Sequence, residues 1–114
     1  MVLIAFQYLK VGEMMSESKT QAKILKWLDK MGYLTVKVVL ANKSGIADII
    51  ACSPTGRYVE IEVKFGANKL SALQEHRLSE VGKRGGVSIA AWSLEDVIEG
   101  LKVAGERYIA APAS

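Results

Sequence analysis

"ADIIACSPTGRYVEIEVKFG" occupies residues 47–66, and the way this stretch folds back on itself decides the architecture. Ser53-Pro54-Thr55-Gly56 carries strong turn chemistry, so the runs 47–52 and 57–65 on either side are expected to form an antiparallel hairpin. In the second run Val59, Ile61 and Val63 alternate with Glu60, Glu62 and Lys64, which lines three charges along one face. The first run reads as buried on both faces, with Asp48 as its only charge. A carboxylate at the start of an inner strand is costly unless a cation or hydrogen bonds satisfy it. The plain alternative is an Asp that caps the loop 42–46. Counting inward from the turn sets Cys52 near Tyr58 and Asp48 roughly opposite Glu62, on one face if the register matches.

Outward from the hairpin the other elements follow. Ile24, Leu25, Leu28 and Met31 recur at helical spacing from Glu17 to Met31, with Gly32 to end the helix. YLTVKVVLA (33–41) reads as a strand. A second helix is expected from Ser71 to Val81, a fourth strand over 87–92, and a third helix over 94–105 with Ser93 as its N-cap. The order is α-β-β-β-α-β-α, an α/β domain with a mixed central sheet flanked by helices.

The chain has 114 residues, enough for one domain and too few for two. Residues 1–13 form an apolar extension and 106–114 a frayed tail. A net charge of +3 is compatible with a polyanionic partner without demonstrating one. The apolar start lacks a basic lead and a cleavage site, and no run reaches the roughly 20 apolar residues of a membrane span. A cytoplasmic protein with no membrane role is therefore expected. Cys52 is the single cysteine and reads as a small buried thiol; with one histidine, His76, there is no Cys/His metal cluster.

Several polar residues interrupt apolar patterns. Gln74 falls on the stripe set by Leu70, Leu78 and Val81, either as a satisfied core glutamine or as a functional group. Glu17 and Gln21 extend the first helix's stripe, although Ser18-x-x-Gln21 also fits a capping box. His76 and Arg77 read most simply as a solvated helix face. Two carboxylates converging on a strand pair suit Mg²⁺ or Mn²⁺ rather than zinc. A lysine beside them can stabilise a phosphate or orient water, which is equipment for metal-assisted phosphodiester hydrolysis.

Gly45-x-x-Asp48, thirteen intervening residues, then Glu62-Val63-Lys64 and Leu70-Ser71-x-x-Gln74 resemble the PD-(D/E)xK nucleases, and more narrowly their VRR-NUC branch, over Glu17 to about Leu94. Ala47 departs from the proline that many relatives place before the aspartate. The resemblance implies a restriction-endonuclease-like fold and a divalent-metal-dependent DNA endonuclease with no organic cofactor. It implies that Asp48, Glu62, the Val63 carbonyl and, through water, Glu17 hold the metal. Lys64 would act on the attacking water or the scissile phosphate, and Gln74 would bond near it. Lys43, Ser44, Lys69, Ser71, His76 and Arg77 are candidate DNA contacts. Stand-alone relatives resemble small phage or bacterial homodimers acting on branched DNA, as Holliday-junction resolvases do. The alternatives are a nuclease for flaps, linear duplex or single strands, a DNA-binding module that does not cut, and a buried salt-bridge network in an unrelated protein.

Overall fold

A computed structural model describes residues 17–106. The apolar extension 1–13 and the segment 107–114 lie outside the described residues. Within them the order is α1 (Glu17–Lys30), β1 (Leu34–Lys37), β2 (Ile49–Cys52), β3 (Tyr58–Val63), α2 (Ala72–Lys83), β4 (Val87–Ala91) and α3 (Leu94–Val103). The sheet runs β1-β2-β3-β4, antiparallel in its first two pairs and parallel between β3 and β4. This is the element order and the mixed sheet read from the sequence.

The hairpin register is also the expected one, with Cys52 opposite Tyr58 and Ile49 opposite Ile61. Its turn closes through Ser53 N–H to the Arg57 carbonyl at 2.9 Å, with Gly56 at a positive φ of 85°. Arg57 and Glu106 tie this turn to the end of the domain: Thr55 Oγ1 donates to Glu106 at 2.6 Å, and Arg57 donates to the carbonyl of Ala104 at 2.7 Å. Glu106 is consequently buried and belongs to the fold, which corrects its placement in a frayed tail.

Period-two alternation sorts β3 into two chemistries. Val59, Ile61 and Val63 join Ile49, Ala51, Val87, Ile89 and Ala91 on one sheet face, where Ile24 and Leu28 of α1 and Val97 and Leu101 of α3 complete the core. Tyr58, Glu60 and Glu62 point to the other face, over which α2 crosses β3 and β4. That helix places Gln74 and Arg77 in line with Leu78 and Val81, at helical spacing. A half-polar stripe therefore meets a strand face that is acidic.

Because α2 covers only β3 and β4, the same face is open over β1 and β2. Leu34 and Val36 are exposed, as is Cys52. The expectation of a buried thiol is corrected, and so is the reading of 47–52 as buried on both faces: only the side carrying Ile49 and Ala51 meets a helix layer. β1 is likewise shorter than the stretch 33–41, since Val39 and Leu40 are almost fully exposed. Ser18 lies inside α1 rather than before it, which excludes the Ser18–Gln21 capping box; Gln21 is buried beside Ile24 and Leu28.

Gly45, ahead of Asp48, has a φ of +82°, and a Cβ there would lie 3.0 Å from the main-chain carbonyl of Leu73 in α2. This close approach seats the loop on the helix start. Gly45→Ala is expected to cost about 2 kcal/mol through left-handed strain and the clash, read as a lower urea midpoint.

Candidate metal and catalytic site

At the open end of the hairpin the Asp48 carboxylate accepts the Val63 N–H at 2.8 Å. This bond bridges β2 and β3 and fixes the aspartate beside Glu62, as the counting from the turn requires. Asp48 is thus half-buried at the site itself, rather than a cap for the loop 42–46.

Glu62 is buried and held from two sides. Gln74 Nε2 donates to its Oε2 at 3.1 Å, and Lys64 Nζ stands 3.8 Å from the same oxygen. The other oxygen, Oε1, is buried with no hydrogen-bond partner. Gln74 has a double role. Its Oε1 accepts the Ser71 N–H at 2.9 Å while the Ser71 hydroxyl accepts the Gln74 N–H at 3.1 Å, a capping box that begins α2. The cap takes the amide oxygen, so the amide nitrogen is the end turned to Glu62. The glutamine is at once helix-start chemistry and a site residue.

Burial, followed by the charge of neighbouring Asp48, raises the Glu62 pKa from 4.5 to about 7, with Lys64 opposing and Glu17 adding to the rise. Glu17, at the first turn of α1, is therefore within electrostatic reach of the pair. A raised carboxyl pKa favours the protonated folded state. Its contribution to stability is complete below about 4.5 and is lost as pH rises through about 7. By that linkage, the protein in EDTA is expected to lose about 3 kcal/mol between pH 4.5 and 8 from this group. Thermal melts across that range should show the loss, and Glu62→Gln should flatten it.

The residues fit a hard divalent cation. A carboxylate oxygen without a hydrogen bond stands beside a second carboxylate, which gives hard oxygen donors. Among the described residues no group of three or more His, Cys, Asp and Glu side chains forms a metal cage. The set is a carboxylate pair, the donor number with which Mg²⁺ is held when water and phosphate complete its shell.

Of the other candidate residues, Lys43, Ser44, Lys69 and His76 are exposed on the side of α2 and its flanking loops. Ser71 is exposed but engaged in the cap. Arg77 is not on a freely solvated face: it donates to buried Glu60 at 2.7 Å, and the Tyr58 hydroxyl bonds the same carboxylate. Glu60 is fully buried rather than solvated. This second contact between β3 and α2 was missed from the sequence, yet the signal is present: two positions before Glu62 on the strand meets three positions after Gln74 on the helix.

No helix among the described residues is long and apolar enough to cross a membrane. Comparison of the sequence with protein-family models gives no match, and comparison with curated proteins gives none. Among solved structures the chain is similar to a VRR_NUC domain, with a TM-score of 0.65 and 23% identity, covering 75% of this chain and 94% of that one. With the mixed sheet and its flanking helices, this shows that the chain has the fold of a VRR_NUC domain.

Proposed function

We propose that this chain is a divalent-metal-dependent DNA endonuclease that hydrolyses phosphodiester bonds. The observation that carries the reading is the buried, partnerless Oε1 of Glu62 beside Asp48, with Lys64 and Gln74 gathered on Oε2. A buried carboxylate oxygen without a hydrogen bond calls for a partner, and a divalent cation shared with Asp48 is one.

Asp48, Glu62 and the Val63 carbonyl would hold Mg²⁺ or Mn²⁺, with Glu17 reaching its water shell. The ion would supply Lewis acidity toward the scissile phosphate and a more acidic water. The chain's own residues do the rest. The Val63 N–H orients Asp48, and Gln74, braced by the Ser71 cap, orients Glu62. The Lys64 ammonium, partly shielded from solvent, is placed to attract the phosphate and stabilise charge growing on it. Lys43, Ser44, Lys69 and His76, all exposed, would make backbone contacts that give affinity rather than sequence choice. Ser71 and Arg77 are held as substrate-facing residues only through the atoms their internal bonds leave free.

The resemblance favours branched DNA and a homodimer, whose twofold axis would offer two sites to the two strands of a junction. Purified protein with Mn²⁺ on four-way junction, flap, linear duplex and single strand, side by side, tests this. Preferential junction cutting supports it; equal or greater cutting of the others favours the broader nuclease. Binding without cutting of any favours the non-catalytic module.

A further inference from the structure

Beside α2, where the helix leaves the β1–β2 half of the sheet uncovered, lies a groove of about 610 Å³. Lys43, His76, Arg77 and Arg84 line it together with apolar Leu73 and the partly exposed Tyr58. Its acid, Glu80, is paired with both Lys83 and Arg84 at 3.2 and 3.0 Å, which leaves that trio with one net positive charge. The loop carrying Lys43 leads into Asp48, and α2 carries both Gln74 of the hydrolytic site and His76 and Arg77 of the groove.

Tyr58 is exposed, yet its hydroxyl is tied down. It bonds to Glu60, which is fully buried, and Glu60 is clamped by Arg77. The hydrolytic site makes no use of Glu60. What the buried carboxylate does is fix a ring and a guanidinium in the lining of this groove. A ring so immobilised loses little side-chain freedom on binding. An aromatic platform with a cationic rim is the combination that holds single-stranded nucleic acid, since every base has a face to stack and every linkage a charge. A surface meant only for duplex phosphates would need the cations and not the platform.

We propose that this groove is a subsite for an unpaired nucleotide of the substrate strand, with Tyr58 as the stacking platform and Lys43, His76 and Arg84 around its phosphate. The inference rests on the nuclease reading and, within branched DNA, favours forks and flaps that carry an unpaired strand close to the cut over a fully paired four-way junction. Tyr58 stands four positions from Glu62 on β3, about 13 Å. One strand therefore reaches both.

The test is fluorescence anisotropy in EDTA with a labelled single-stranded oligothymidylate and a blunt duplex. Tyr58→Leu is expected to weaken oligothymidylate binding about tenfold, and Tyr58→Phe, which keeps the ring but frees it from Glu60, by a smaller factor of about three, with duplex binding nearly unchanged in both. A second measurement needs no variant: 5-iodouracil in the oligomer should photocrosslink to the peptide containing Tyr58. Unchanged oligomer binding by Tyr58→Leu, or crosslinks mapping elsewhere, overturns the subsite. Wild-type protein that binds through Tyr58 but cuts no DNA with Mn²⁺ contradicts the nuclease reading and leaves the groove standing. Protein that cuts while binding independently of Tyr58 does the reverse.

Discussion

Glu62→Gln is expected to reduce Mn²⁺-dependent DNA cleavage by about a thousandfold or more while making the metal-free protein more stable at pH 8. The first effect follows from removing one of the two side-chain carboxylates proposed to hold the ion directly, on which the electrostatic stabilisation of the reaction depends. The second follows from the crowding already described, in which burial and Asp48 oppose ionisation of Glu62. A glutamine keeps the shape and removes the charge. Loss of activity with a gain in stability is the mark of a group retained for function at the expense of the fold. Asp48→Ala and Lys64→Ala should also abolish cleavage in folded protein. Gln74→Ala, which removes the brace on Glu62 and the side-chain half of the Ser71 capping box, should cost less activity, about 10- to 100-fold. Melting curves and cleavage rates on the same preparations check all four.

Two residues earlier on the same strand face, the expected result reverses. Arg77→Ala should destabilise the protein by about 3 kcal/mol, because it leaves fully buried Glu60 without its counter-charge, whereas Glu60→Ala leaves a guanidinium that solvent can reach and should cost less. Replacing both together, Glu60→Leu with Arg77→Leu, should return much of that stability, since apolar packing can substitute for a buried pair. Chemical denaturation of the single and double variants gives the coupling directly. Neighbouring glutamates that share one strand and one helix are thus expected to move stability in opposite directions.

That contrast marks how far the residues could be read in advance. Asp48 beside Glu62 follows from the Ser53–Gly56 turn, because a hairpin of fixed loop length leaves one register, and Cys52 does face Tyr58. The burial of Glu62 follows from alternation and a helix laid over its face. Glu60 obeys the same rule, but its partner depends on how α2 crosses β3, and no local pattern states a crossing angle. Cys52 misled for a related reason. An apolar neighbourhood in sequence says that one face of β2 is buried, whereas the exposure of the other depends on the width of α2 against a four-stranded sheet. Glu106 was hidden by distance: its partners Thr55 and Arg57 lie in a turn some fifty positions earlier. Gln74 shows the opposite case, where the apolar stripe pointed to the right residue and the cap at Ser71 supplied the reason for its orientation.

The central claim is that Asp48 and Glu62 form a divalent-metal site, and titration of Mn²⁺ into the folded protein by calorimetry tests it without any DNA. The account predicts saturable binding by the wild type near pH 8, lost or greatly weakened in Glu62→Gln and in Asp48→Ala at unchanged fold. Absence of Mn²⁺ binding by the wild type, or equal binding by Glu62→Gln, would contradict it.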